Sequence, residues 1–213
     1  MSDVDFSSEL LTRCAFAAPG LADVSSQCMG RILPKGILAI LQIANGLVVH
    51  DRHFRIFGTV SSEKVPSLEE HNSASWKKQY GDALEGVMIV ADDIFGDQYG
   101  YRFEGEKKNF LKFHCEGGKT EPLEKGINHL IEGMIQPHSC GLLDIDLILA
   151  AKTNGFTPSA SQHLAFRVPL MVGGARDIYN LTIESESLHL GTLAQLYQST
   201  ASKNDGTLIN RFM

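Results

Sequence analysis

At 213 residues, with 43% hydrophobic and 21% charged side chains, the chain has ordinary globular composition and enough apolar residues to bury a core. The net charge of −6 lies wholly in the first half: residues 1–106 hold 15 acidic and 9 basic side chains, residues 107–213 hold 10 of each. This balance disfavours direct nucleic-acid binding, because phosphate recognition needs a basic footprint. A basic protein partner would suit it.

The opening MSDVDFSSELL carries acidic residues where an export signal would carry Lys or Arg, so no export is expected. The apolar stretch Ile37 to Val49 is interrupted by Gln42, Asn45 and Gly46 and falls short of the roughly 20 residues a membrane span needs. A cytoplasmic protein is the expectation. Cys14, Cys28, Cys115 and Cys140 are too scattered for a disulfide scaffold and read as reduced thiols.

In chain order, Phe6, Leu10, Leu11, Cys14 and Ala15 fall at helical spacing, which predicts a helix over Asp5–Phe16 stopped by Pro19-Gly20. A second helix opens at Pro34, with Ile37, Ile40, Leu41 and Ala44 on one face and Asn45-Gly46 as its left-handed stop. His53–Phe57 reads as a strand and Ser67–Tyr80 as a polar helix or turn cluster. The runs Gly86–Ala91, Tyr99–Phe103 and Phe110–His114, with the turn Glu116–Lys119 leading into a short edge strand, predict an antiparallel meander. Leu123–Ile135 predicts a covering helix, and Leu142–Lys152 another, stopped by Asn154-Gly155. Val168–Gly174 reads as a strand-like stretch with a turn, Ser187–Tyr197 as a final helix, and Ser199–Gly206 as a polar tail. These elements add up to an α+β fold, a mixed, largely antiparallel sheet packed by helices, with a helical C-terminal extension.

The acidic excess concentrates between Asp82 and Glu106, where seven carboxylates face one base, Arg102. Within it, Asp92, Asp93 and Asp97 have the oxygen chemistry for Mg²⁺ or Ca²⁺, but their spacing fails the EF-hand pattern. A strand-ending turn accounts for them better, with Asp side chains bonding local amides and Gly96 taking the awkward backbone angle. His114, Cys115, His138 and Cys140 are zinc-ligand types without a pinning unit, and Gly173-Gly174-Ala175-Arg176-Asp177 lacks the Lys-Ser/Thr of a phosphate loop. The common hydrolase signatures are absent as well. No metal, cofactor or catalytic residue is therefore assigned. Tyr99 and Tyr101 supply aromatic anchors beside the acids, so Asp92, Asp93, Asp97, Tyr99, Tyr101, Glu104 and Glu106 form the candidate partner-binding set, on a loop expected at the surface. Trp76 reads as core.

Three pieces in order carry a family resemblance: Leu33-Pro34 leading to Asn45-Gly46; Trp76 before an apolar strand; and Asp92-Asp93-Ile94-Phe95-Gly96-Asp97-Gln98-Tyr99-Gly100-Tyr101 leading into Phe110–Phe113. In these the chain resembles the SMI1/KNR4 superfamily, known in bacteria largely for toxin-immunity proteins. Leu147–Leu196, through Phe166–Gly174, Asn180-Leu181 and the Leu-rich last helix, is similar to the C-terminal domain of type VI secretion immunity proteins; Leu164-Ala165-Phe166 departs from the Tyr-Gly-Phe-like triplet of that group. The resemblance implies an SMI1/KNR4-like α+β core over 1–138 and an immunity-like extension over 139–213 packed on it, without catalytic residues. The expected function is neutralisation of a cognate toxin by protein–protein contact; the acidic stretch favours a basic, nuclease-like toxin. Two alternatives stay open: a regulatory or scaffold member without a toxin, and a metal-dependent hydrolase using Asp92, Asp93 and Asp97.

Overall fold

The computed structural model describes residues 10, 12–19, 27–28 and 31–200; the first part of the predicted N-terminal helix and the tail beyond Thr200 lie outside them. The fold is α+β, as the periodicities predict. Its centre is a seven-stranded sheet in which every neighbouring pair runs antiparallel. The strands are β1 (Cys14–Pro19), β4 (Ala44–Val49), β5 (Phe54–Ile56), β6 (Val87–Asp93), β7 (Gln98–Glu104), β8 (Lys107–His114) and β9 (Lys119–Pro122), adjacent in that order. A two-residue pairing of β2 (Gln27–Cys28) with β3 (Arg31–Ile32) stands apart. The helices are α1 (Lys35–Ile43), the short α2 (Leu68–Ser73) and α3 (Ser75–Gln79), α4 (Ile127–Ile135), α5 (Ile145–Thr153) and α6 (Glu186–Thr200). A separate hairpin joins β10 (Gln162–Phe166) to β11 (Leu181–Ser185).

Most elements follow from their apolar spacing. Pro34 precedes α1, where its missing N–H costs nothing, and Ile37, Ile40 and Leu41 are buried at helical intervals. Ser67 caps α2 by accepting from the Glu70 N–H at 3.1 Å, and Asp144 caps α5 by accepting from the Leu147 N–H at 3.1 Å. The main core gathers Leu41, Phe54, Phe57, Phe113 and Met134 with Leu190 and Leu193 of α6, so the last helix packs into the same interior as the sheet. Trp76 is buried, edge-on to Tyr80. A second, smaller core is built by Ile145, Ile148, Leu164, Phe166 and Leu181 around Ile94 and Phe95 of the β6–β7 turn. Among the described residues, no helix is long and apolar enough to cross a membrane, and Cys14, Cys115 and Cys140 are free thiols.

Three expectations are corrected. Residues 14–19, expected to end or follow a helix, form β1, because pairing with β4 satisfies a ladder that local helical spacing cannot supply. Val168–Gly174 is not a strand: Pro169 cannot donate to a ladder, Leu170–Val172 turns tightly, and the Asn180 side chain clips the Val168 N–H and C=O, both at 2.9 Å. The strands of this region are instead β10 and β11, which flank it.

Asn45-Gly46 does not stop α1 either. The helix passes straight into β4 at Ala44, and both residues lie inside that strand. The Asn45 side chain accepts from the Thr59 N–H at 2.8 Å and donates to the Val60 carbonyl at 2.9 Å, clipping the neighbouring loop to the sheet. Gly46 has φ +102°, and a Cβ there would meet Val65 Cγ1 at 2.7 Å and the Ile56 carbonyl at 3.1 Å. Gly46→Val is therefore expected to cost more than about 1 kcal/mol, through backbone strain and a steric clash together. Denaturant titration reads the effect; a variant that unfolds with the parental midpoint overturns this account of β4.

Candidate functional site

The residues singled out between Asp82 and Glu106 lie on the β6–β7–β8 hairpins, and the structure divides them between the two ends. At one end, Ile94–Asp97 turn the chain from β6 into β7. Asp93 Oδ1 accepts from the Phe95 N–H at 3.0 Å and the Asp97 N–H at 3.1 Å, and Gly96 takes φ +85°, the turn chemistry read from the sequence. The placement differs from the expected exposed loop. Asp92, Asp93 and Tyr99 are fully buried, Tyr101 nearly so, and the Asp97 side chain is 15% exposed. The reason is the pleat: successive strand residues face opposite sides, and both sides of this sheet are covered.

Asp92 meets the cationic side. Its carboxylate accepts from Arg55 Nη2 at 2.6 Å, Arg55 Nε at 3.2 Å and Arg52 Nη2 at 2.9 Å, and His163 Nε2 stands 3.3 Å away. Burial alone would raise its pKa, but the two guanidinium groups outweigh that and hold the carboxyl well below its usual range. Arg55 Nη2 also donates to Glu186 Oε2 at 2.6 Å, and Glu186 Oε1 lies 3.0 Å from His71 Nδ1. Arg52 Nε and Arg55 Nη1 both donate to the Ala160 carbonyl, at 3.1 and 2.9 Å. Behind His163 stands His189, the two Nδ1 atoms 3.1 Å apart; burial and the His163 neighbour depress His189 to about 3.

Asp93 and Asp97 meet a different cation. Lys112 Nζ lies 3.4 Å from Asp93 Oδ2 and 3.1 Å from Asp97 Oδ2, and donates to the Leu142 carbonyl at 2.8 Å. The Tyr99 hydroxyl donates to Asp93 Oδ2 at 3.0 Å. Burial, only partly offset by Lys112, raises Asp93 to about 6; in Asp97 the Lys112 and His114 partners overcome burial and pull the carboxyl below its usual range. His114 Nδ1 is 3.0 Å from Asp97 Oδ2, and this bond raises the imidazole pKa. A cleft of ≈ 410 Å³ opens beside Asp97, His114 and Glu116, with the Arg176 guanidinium lying over Phe95 and Phe166. Glu116 Oε2 accepts from the Leu170 N–H at 2.7 Å, while Oε1 is buried with no partner among the described residues, and burial raises this carboxyl to about 7.

The opposite end of the hairpins is exposed. Glu104 and Glu106 flank the β7–β8 turn, Glu104 pairs in register with Lys107, and a cleft of ≈ 610 Å³ runs past Tyr101 and Glu104 toward Leu123. Glu85 opens the β6 edge at this same end, next to Gly86, whose carbonyl accepts from the Phe103 N–H at 3.2 Å. Of the candidate partner-binding set, then, only Glu104, which accepts from Asn109 Nδ2 at 3.2 Å, and Glu106 are exposed acids; Asp92, Asp93 and Tyr99 belong to the interior and cannot touch a partner in this fold.

No group of three or more His, Cys, Asp or Glu side chains is arranged to hold a metal ion among the described residues. Asp92 and Asp93 face different cations, so the three aspartates proposed for a hydrolase do not converge on one point. The residues the sequence did not single out are Arg52, Arg55, Lys112, His163 and Glu186. The one available signal was Arg55, a charged residue inside the apolar run Phe54–Phe57.

With this geometry in view, the chain was compared with known proteins. No protein-family model matches it, and no curated protein matches it. Among solved structures it is similar to the crystal structure of Atu4351 from Agrobacterium tumefaciens, with TM-score 0.55 and 13% identity over 88% of this chain and 87% of that one. At that identity the likeness is one of fold.

Two outcomes follow from the buried charges. Asp92→Asn leaves two buried guanidinium groups facing a neutral partner and is expected to cost about 3–5 kcal/mol in denaturant unfolding, whereas Glu104→Gln with Glu106→Gln should unfold like the parent. Equal behaviour of the two variants would mean the network carries no weight. For Glu116, a carboxyl raised on folding binds its proton more tightly in the native state, so its stabilising contribution is complete below about 4.5 and is lost as pH rises through about 7. Glu116→Gln keeps an acceptor for the Leu170 N–H, and its stability relative to the parent should rise between those pH values. A flat difference across that window rules out the raised carboxyl.

Proposed function

We propose that this protein is a non-enzymatic, immunity-type binding protein that acts in the cytoplasm by covering a cognate, basic, nuclease-like toxin. The observation that carries the reading is where charge is spent. The interior network sets Arg52, Arg55 and Lys112 against Asp92, Asp93, Asp97 and Glu186 and is nearly neutral, so almost all of the chain's net charge of −6 falls outside it. An acidic exterior repels nucleic acid and speeds encounter with a cationic protein. The resemblance of the ordered motifs from Leu33 to Phe113 to SMI1/KNR4 proteins supports the same reading, and membership of that superfamily is part of the proposal.

The contact surface is assigned to the exposed end of the hairpins, where Asp82, Glu85, Glu104 and Glu106 are exposed and the cleft bordered by Tyr101 is lined by Glu104 and Glu124 together with Arg102, Lys108 and Lys125. Aromatic and apolar side chains in that cleft would supply the desolvated centre, and the acids its rim. This corrects the contact set expected from sequence: Asp92, Asp93 and Tyr99 are buried and, with Asp97, lie toward the other end of the strands.

The test is capture from native cells at low and high salt, followed by expression of the captured protein alone and together with this chain. The captured protein alone should arrest growth, and co-expression should restore it. Replacing Asp82, Glu85, Glu104 and Glu106 by their amides should leave the fold intact, slow association, flatten its salt dependence and reduce rescue. Full rescue and unchanged binding by that variant would place the interface elsewhere; a captured protein without toxicity would overturn the immunity reading.

A further inference from the structure

A pocket of ≈ 450 Å³, far from the acidic hairpin end, lies between the β4–β5 turn and the α5–β10 segment. That volume falls within the range of small-molecule sites, which combine apolar walls with a few placed polar groups. Ile94, Ile148, Phe156 and Leu164 form the apolar wall. Arg52, Lys64 and Lys152 line the same pocket against a single acid, Asp51, which pairs with Lys152 Nζ at 3.0 Å, so bases outnumber acids in the lining.

Arg52 is the informative residue. Its side chain is 1% exposed, Nε and Nη2 are taken by the Ala160 carbonyl and Asp92, and Nη1 is buried with no partner among the described residues. His53, next in the chain and also lining the pocket, has Nδ1 in the same condition, and burial depresses its pKa to about 4. An unsatisfied guanidinium N–H in the interior is costly, so the site gains when an acceptor occupies it. The turn that delivers Arg52 is itself strained: His50, Asp51 and Arg52 have φ +48°, +51° and +84°, three successive left-handed residues with side chains.

We propose that this pocket binds a small carboxylate with an apolar body, the carboxylate accepting from Arg52 Nη1 and the hydrocarbon lying along Ile94, Ile148, Phe156 and Leu164. A monoanion fits better than a phosphate dianion. One guanidinium nitrogen is open, and a mostly apolar wall would leave further charged oxygens unpaired. The site is independent of the toxin-binding reading and uses the opposite part of the molecule from Glu104 and Glu106.

Calorimetric and NMR titration of the full chain with octanoate tests this, with octanol as the neutral control. Octanoate is expected to bind one-to-one, at least about tenfold more tightly than octanol, and to shift resonances of residues 50–53 and 148–164. Arg52→Gln should abolish binding; because Arg52 also serves Asp92, Lys152→Glu on the exposed rim supplies a second reading, an expected loss of about threefold in a variant that stays folded, its melting lowered only by loss of the exposed Asp51 pair. Octanoate binding no tighter than octanol, shifts elsewhere, or full affinity in folded Lys152→Glu overturns the proposal. A peptide ending in a free leucine carboxylate that binds more tightly than octanoate overturns the small-acid assignment in favour of a chain terminus.

Discussion

The fold turns on one buried carboxylate. Asp92 stands directly opposite Arg55 in the β5–β6 register, and its two oxygens are shared among Arg55, Arg52 and His163. Slipping that pair by one residue would turn Asp92 to the other face, leaving the buried Arg52 without its counterion and Arg55 with Glu186 alone, a far worse state than misplacing one apolar side chain. The register of the central strands is thus pinned by charge as well as by hydrophobic pattern. Such a pair need not be more stable than an apolar replacement; its consequence is specificity, since it tolerates one arrangement and penalises its neighbours.

The same network fastens the last third of the chain to the sheet. Arg52 and Arg55 both hold the Ala160 carbonyl, His163 leads from Asp92 to His189, and Arg55 reaches Glu186 at the start of α6. Lys112 does the same on the other face, tying Asp93 and Asp97 to the Leu142 carbonyl. Around these polar joints the second core closes on Ile94 and Phe95. The β6–β7 turn is therefore the seam where sheet and C-terminal segment meet, and the residues that read as a binding loop are occupied in making that seam.

How much of this was legible follows from the period of each signal. The strands β6, β7 and β8 and the helices α4, α5 and α6 announced themselves through sustained apolar spacing, and the Asp93–Gly96 turn through its residue types. The burial of the acids was not legible, because their partners Arg52, Arg55, Lys112 and His163 are brought in from up to 71 residues away, and no local pattern encodes such a pairing. Asn45-Gly46 misled for a related reason: the pair is common at helix ends, yet here Asn45 bonds a loop 14 residues on and Gly46 makes room for Val65. Of the candidate set, Tyr101 and Glu104 line one open cleft and Asp97 another, while Glu106 is exposed on the β7–β8 turn.

Spending charge inside the protein constrains what the outside can do. The interior carboxylates are matched by Arg52, Arg55 and Lys112 at 2.6–3.4 Å, so their fields largely cancel at the surface, and the field outside is set by the exterior charges instead. Removing an interior acid would therefore act on folding first, while removing Glu104 or Glu106 would leave that network intact. The two ends of β7 thus differ: the β6–β7 turn holds the chain together, while the β7–β8 turn, built from the same acidic run, is exposed.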